Sequence, residues 1–190
     1  ENTVFKTDKK ILLGIANVWE KRKGLEEYER LASKLPSEYQ IVLVGISRKQ
    51  CRGIDNKIIC YPRTNSLDKL RIIYSNAYLL LNLTLEDNFP TVNIEALACE
   101  LPILTYNTGG SPEIVEDCGW IIAKRNVDGV LNCLNSINEE EYLEKKGKCR
   151  KRALNYSENK MCEEYINLYR KVIEENHEKN NLANESSSSI

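Results

Sequence analysis

Residues 78–106 run Tyr78-Leu79-Leu80-Leu81-Asn82-Leu83, then Thr84-Leu85-Glu86-Asp87-Asn88-Phe89-Pro90. Thr91-Val92-Asn93-Ile94-Glu95-Ala96-Leu97-Ala98-Cys99 follows, and after it Pro102-Ile103-Leu104-Thr105-Tyr106. The first and last segments are short, continuous apolar runs, the pattern of strands buried on both faces. Between them lie an acidic turn and a short apolar helix over 91–99 whose single charge is Glu95. A strand, a helix and a second strand in this order form a βαβ unit, which implies a parallel sheet with right-handed crossovers.

The pattern repeats outward. Ile11-Leu12-Leu13-Gly14-Ile15-Ala16 and Ile41-Val42-Leu43-Val44-Gly45 read as buried strands, Lys57-Ile58-Ile59-Cys60-Tyr61 as a shorter one, and Gly119-Trp120-Ile121-Ile122 as the last. Helical spacing predicts helices over 25–35, ended by Pro36-Ser37, and over 67–75, with Asn65 or Ser66 as the cap. Three more are predicted near 127–136, 139–155 and 157–174. The expected fold is therefore α/β: a Rossmann-like parallel sheet with helices on both faces and a helical C-terminal end. One domain is expected over 1–177, and a disordered polar tail over 178–190, which carries Ser186-Ser187-Ser188-Ser189. Such sheets bind ligands outside the carboxyl ends of their strands. The polar loops after Ala16, Gly45, Tyr61, Leu83 and Tyr106 all fall at that rim.

Composition narrows the function. The 190 residues are 42% hydrophobic and 29% charged, a profile of globular domains. The net charge of -1 argues against a nucleic-acid partner. No apolar run approaches the roughly 18 residues of a transmembrane segment, so a cytoplasmic protein is expected. The chain opens on Glu1 rather than Met, as a piece of something longer would. Its seven cysteines are scattered without a Cys-x-x-Cys pair, and its one histidine is His177, so no zinc or other metal site is expected. Cys99 and Cys133 sit among apolar neighbours as small core hydrophobes, and all seven read as reduced thiols. The glycine-spaced phosphate motifs of dehydrogenases and ATPases are absent.

The chemistry concentrates between Asp87 and Glu95. If the helix begins near Thr91, Pro90 sits at or just before its first position, where a missing N–H costs nothing. The N–H groups of Thr91, Val92 and Asn93 are then free to hold an anion such as a diphosphate. Glu95, one turn on, leans back toward the same end and would repel phosphate, so hydroxyls such as those of a ribose suit it better. The plainer alternative makes Glu95 a partner of the helix dipole and Asp87 a solvated turn residue. That alternative leaves a carboxylate amid Val92, Ile94, Ala96, Leu97 and Ala98 without a partner.

Asp87-Asn88-Phe89-Pro90 through Glu95-Ala96-Leu97-Ala98, then Pro102, then Gly109-Gly110-Ser111-Pro112-Glu113, resembles the signature of the retaining GT-B enzymes called glycosyl transferases group 1. The nearest likeness is to the capsule and exopolysaccharide enzymes with an Asp-Asn-Phe-Pro turn. The resemblance runs from the first strand to about Tyr169 and covers only the carboxyl half of a family enzyme. It implies the C-terminal half of a GT-B fold that binds a nucleotide diphosphate sugar as substrate, without a cofactor. In that reading Asp87 holds sugar hydroxyls, with Glu86 beside it as the competing carboxylate. Asn88, Phe89, Pro90, Thr91 and Val92 meet sugar and diphosphate, and Glu95 holds the ribose. Lys23, in the Lys23-Gly24 pair, clamps the diphosphate; its plainer reading is a solvated basic loop with Lys21 and Arg22. Arg22 would stand in for the family's arginine after the first strand, and Arg63 and Thr64 fall where the base is met.

The resemblance also implies a missing N-terminal acceptor-binding domain of the same polypeptide, through which the enzyme would touch the inner face of the membrane. Two alternatives stay open: a stand-alone nucleotide-sugar-binding or regulatory module without catalysis, and a related sugar-nucleotide epimerase, which would be expected to bring catalytic histidines. Glu100 stands where the family has glycine, often with a left-handed backbone. Ser111 and Pro112 are expected to cap and start a short helix. Tyr165, Leu168, Tyr169, Val172 and Ile173 form an apolar stripe, read as ordinary core or as a docking face for the missing half.

Overall fold

The computed structural model describes residues 4–187, with side chains through residue 176. Six strands form one parallel sheet: β1 Lys10–Ile15, β2 Tyr39–Val44, β3 Ile58–Tyr61, β4 Leu79–Asn82, β5 Ile103–Tyr106 and β6 Gly119–Ile122. They are flanked by α1 Leu25–Lys34, α2 Arg48–Cys51, α3 Leu67–Ser75, α4 Thr91–Ala98, α5 Ser111–Val115, α6 Val127–Ser136 and α7 Glu139–Leu154. The strand order is β3-β2-β1-β4-β5-β6. The chain thus winds outward from β1 in one direction and, from β4, in the other. The reversal leaves a crevice above the carboxyl ends of β1 and β4, where doubly wound sheets hold their ligands.

The continuous apolar runs are explained by burial on both faces. One row across the sheet pairs Ile59, Val42, Leu13, Leu80, Ile103 and Gly119 in register. Leu12, Leu13, Val42, Leu79 and Ile103 are all fully buried. Each such side chain contributes about 1.5–3 kcal/mol relative to exposure. Alternation is absent because neither face meets water.

The described residues fall into two compact units, one ending at Ala153 and the other beginning at Leu154. The second consists mainly of α8, Glu158–Ser187, so the tail expected to be disordered from 178 is helical as far as Ser187. Glu, Lys, Asn and Ala in that segment include strong helix formers, which lets the helix extend. Residues 188–190 lie outside the described ones. The apolar stripe of α8 is not core: Tyr165, Leu168, Tyr169, Val172 and Ile173 are each about half exposed. No described helix is long and apolar enough to cross a membrane.

Three further expectations are settled by local geometry. Cys51 at the end of α2 and Cys60 on β3 form a disulfide, so they are not the reduced thiols expected. The chain returns alongside α2 over a sequence separation of 9 and brings their Cα atoms to 6.0 Å. Glu100 does adopt the left-handed backbone, at φ 58°. Ser111 is not a cap: Gly110 occupies that position, and the Ser111 hydroxyl instead accepts from Asn93 Nδ2 at 3.3 Å.

Candidate functional site

The loop after β1 and the loop after β4 are clasped together at the crevice. Leu85 N–H donates to Arg22 C=O at 2.7 Å, and Glu86 N–H to the same oxygen at 3.4 Å. Lys21–Lys23 form a single 3-10 turn closed by Gly24, at φ 71°. A Cβ on Gly24 would lie 2.1 Å from Leu83 O, so only glycine lets the two loops meet there. Behind them Trp19 is pinned: its Nε1 donates to Val44 O at 3.0 Å, and its carbonyl accepts from Gln50 Nε2 at 2.6 Å. Tyr28 on α1 ties the frame to β4 by donating to Leu81 O at 2.5 Å.

This clasp delivers two side chains to one point. Lys23 Nζ lies 2.6 Å from Asp87 Oδ2, with both side chains less than one-fifth exposed. They line a recess of about 260 Å³ together with Ile15–Val18, Glu20, Arg22 and residues 89–92. Asn93 N–H turns back to Pro90 C=O at 3.0 Å, so it is not the free donor expected. The start of α4 leaves Thr91 and Val92 N–H without intrahelical partners. Both residues border the recess, where a helix start favours an anion.

A second recess of about 140 Å³ shares Ile15, Ala16, Asn17, Thr91 and Val92 with the first and continues toward β2 and β3. Arg63, Thr64, Gly45, Leu70 and Glu95 complete its wall. Glu95 is half-buried, and its Oε2 accepts from Tyr74 Oη at 2.8 Å. Burial and the adjacent Glu95 charge push the Tyr74 phenol well above its ordinary pKa, so it remains a donor.

Of the twelve predicted site residues, ten therefore border the two recesses. Glu86 and Asn88 do not. Glu86 is exposed beyond the clasp, and Asn88 is exposed with its carbonyl accepting from Gly110 N–H at 2.8 Å. Asp87 is the carboxylate of this turn that faces the recess, where Lys23 meets it. Arg22 reaches the recess wall, but its Nε is drawn to Glu20 at 2.9 Å. Asn17, Gly45, Leu70 and Tyr74 were not anticipated. Asn17 and Gly45 carried a usable signal, as the first polar residue after one strand and a glycine closing another.

The Gly109-Gly110 loop after β5 supports this arrangement from outside. Gly109 has φ 50°, and a Cβ there would fall 1.7 Å from Asp87 O; one on Gly110 would fall 2.6 Å from Phe89 Cδ2. The pair lets the β5 loop lie against the turn that carries Asp87. A larger recess of about 330 Å³ opens at the opposite edge, among Lys9, Tyr39, Gln40 and Lys57. It lies at the amino ends of the strands, away from the α4 start and the paired Lys23 and Asp87.

The fold agrees with what comparison finds. A curated glycosyltransferase of Haemophilus influenzae, itself uncharacterised, is 25% identical over 182 residues, covering 87% of this chain and 50% of its own length. The N-acetyl-alpha-D-glucosaminyl L-malate synthase of Bacillus anthracis is 24% identical over 179 residues, covering 86% and 46%. Among solved structures, sucrose-phosphate synthase from Thermosynechococcus elongatus superposes with a TM-score of 0.75 at 21% identity, over 87% of this chain and 46% of that one. That likeness speaks for the fold. The chain spans about half the length of the curated relatives it matches. Residues 1–156 match the family model of glycosyl transferases group 1, and the chain belongs to that family.

Proposed function

We propose that this chain is the donor-binding half of a retaining glycosyltransferase that moves a sugar from a nucleotide diphosphate sugar to a saccharide or lipid-linked acceptor in surface polysaccharide synthesis. The observation that carries the reading is the pairing of Lys23 with Asp87 beside the start of α4. A cation, a carboxylate and two open N–H groups in one recess match a ligand that carries an anion next to hydroxyls. The diphosphate would take Lys23 and the Thr91 and Val92 N–H groups, while Asp87 turns to hydroxyls of the sugar. The nucleoside would extend into the second recess, with the ribose on Glu95 and the base near Arg63 and Thr64.

Charge develops on the departing diphosphate as the glycosidic bond breaks, and donors already aimed at that position stabilise it without reorganising. Each charge-assisted hydrogen bond there is worth about 1.5–3 kcal/mol. Lys23 and the helix start would supply this neutralisation in place of a divalent ion. The acceptor attacks on the face that the diphosphate leaves, so the anomeric configuration is kept. The acceptor is held by another half of the polypeptide, which docks on the exposed apolar face of α8 and brings the reaction to the cytoplasmic side of a membrane.

Calorimetric titration with UDP, GDP and ADP sugars tests the reading. The chain by itself should bind one of these weakly and transfer nothing, and Glu95→Ala should abolish binding. A Glu95→Ala variant that binds as the parent does would remove Glu95 from the site.

A further inference from the structure

Glu95 is a long, flexible side chain that borders the nucleoside recess from the second turn of α4. What restrains it comes from a different element. Tyr74 lies near the end of α3, is 1% exposed, and donates its hydroxyl to Glu95 Oε2 at 2.8 Å. The start of α3 is fixed to the loop that carries Arg63 and Thr64. Ser66 caps α3 by accepting from Lys69 N–H at 3.3 Å, and Ser66 N–H donates to Thr64 Oγ1 at 3.2 Å. One helix therefore joins the base wall of the recess to the grip on its carboxylate.

We propose that Tyr74 is a positioning residue for ribose recognition: by holding one oxygen of Glu95 it commits the other to the ribose hydroxyls. The chain's preference for ribonucleotides over deoxynucleotides then resides in the Tyr74–Glu95 pair. The inference rests on reading the second recess as the nucleoside site. A carboxylate that has already lost its rotamer freedom binds a diol without that ordering cost. Among the described residues the Tyr74 hydroxyl donates to Glu95, and a phenylalanine would keep the space its ring fills. Held in this way, Glu95 accepts one hydrogen bond from the protein and keeps its remaining capacity for the ligand.

The test is equilibrium titration of the full chain with UDP, GDP and ADP and with their 2′,3′-dideoxy counterparts. The parent should bind a ribonucleotide more tightly than its dideoxy form. Tyr74→Phe deletes one oxygen and keeps the buried ring. It should weaken the ribonucleotide about tenfold, the equivalent of about 1.4 kcal/mol, while leaving the dideoxy form within about twofold. In Glu95→Gln the preference should already be lost, and adding Tyr74→Phe should change nothing further. Glu95→Asp keeps the charge but falls short of Tyr74, and it should lose the preference too. An equal loss of both ligands in Tyr74→Phe would mark a merely structural role and overturn the inference, as would full retention of the preference in Tyr74→Phe or Glu95→Asp. A parent that binds ribo and dideoxy forms alike would remove ribose recognition from Glu95 and Tyr74 together. No nucleotide binding by the parent would overturn the site reading itself, and this inference with it.

Discussion

Gly109→Ala should disable the site from outside it. The residue contributes no side chain to either recess, yet its backbone touches the turn that carries Asp87. At φ 50° an alanine incurs the left-handed penalty of about 1–2 kcal/mol. Its Cβ would also lie 1.7 Å from Asp87 O, whereas carbon and carbonyl oxygen ordinarily approach to about 3.3 Å. The Asp87 backbone must therefore withdraw by about 1.5 Å or the β5 loop must lift. We expect a total cost of about 3 kcal/mol, within the range of strained backbone substitutions. For a chain of this size that lowers Tm by about 6–12 °C. Withdrawal of Asp87 also carries its carboxylate away from the recess where the sugar hydroxyls would lie, so nucleotide-sugar binding should fall at temperatures where the variant is still folded. Thermal unfolding followed by tryptophan fluorescence is the assay, since Trp19 and Trp120 both belong to the sheet unit. Gly53→Ala is the control: its added Cβ would meet only Gln50 O at an ordinary 3.7 Å. A Gly109→Ala protein that melts within about 2 °C of the parent and binds nucleotide sugar equally would refute the idea that this loop holds Asp87 in place.

Glu100→Gly should stabilise the chain by about 1 kcal/mol in urea unfolding, because it relieves a left-handed residue and removes an acidic side chain from the C-terminal end of α4. The free thiols predict a pattern of alkylation. At pH 8 iodoacetamide should modify exposed Cys162 first and spare buried Cys118 and Cys149, while Cys51 and Cys60 should react only after reduction, as read by peptide mass spectrometry. Burial pushes the thiols of Cys118 and Cys133 up to about 11 and that of Cys149 up to about 12. A raised acid contributes stability below its unfolded pKa, here near 9.0, and loses it as pH rises through the folded value. Stability should accordingly decline between about pH 9 and 12, and a midpoint in urea that stays flat across that window would contradict the burial.

The sheet was legible because its physics is local. A strand covered on both faces must be apolar at every position, and runs such as 11–16 and 41–45 announce that without knowledge of their neighbours. Helices α3 and α6 begin and end where the helical pattern placed them, and Ser66, one of the two expected caps, is the cap of α3. What stayed hidden depends on partners distant in sequence. Cys51 and Cys60 pair only because α2, a four-residue helix too short for any periodic signal, turns the chain back. The stripe on α8 has the spacing of a core helix, and sequence cannot say whether anything covers it.

The candidate site divides along the same line, and the division explains which of its residues were found. Glu95 was visible because a charge is conspicuous in apolar surroundings, and Asp87 because it opens the Asp87-Asn88-Phe89-Pro90 turn that carries the resemblance. Choosing Asp87 over Glu86 required the third dimension, since Lys23 stands 64 residues away and selects whichever carboxylate the turn presents to it. Tyr74 was hidden for the opposite reason. In the pattern of α3 it is one more apolar position beside Leu70 and Ile73, and its ring does pack as one, at 1% exposure. Only its hydroxyl is directed to Glu95, and periodicity counts a tyrosine by its ring. Residues that meet a ligand must differ from their surroundings and can be picked out of a sequence. Residues that hold them in place need only match the core, so the support of such a site has to be read from distances.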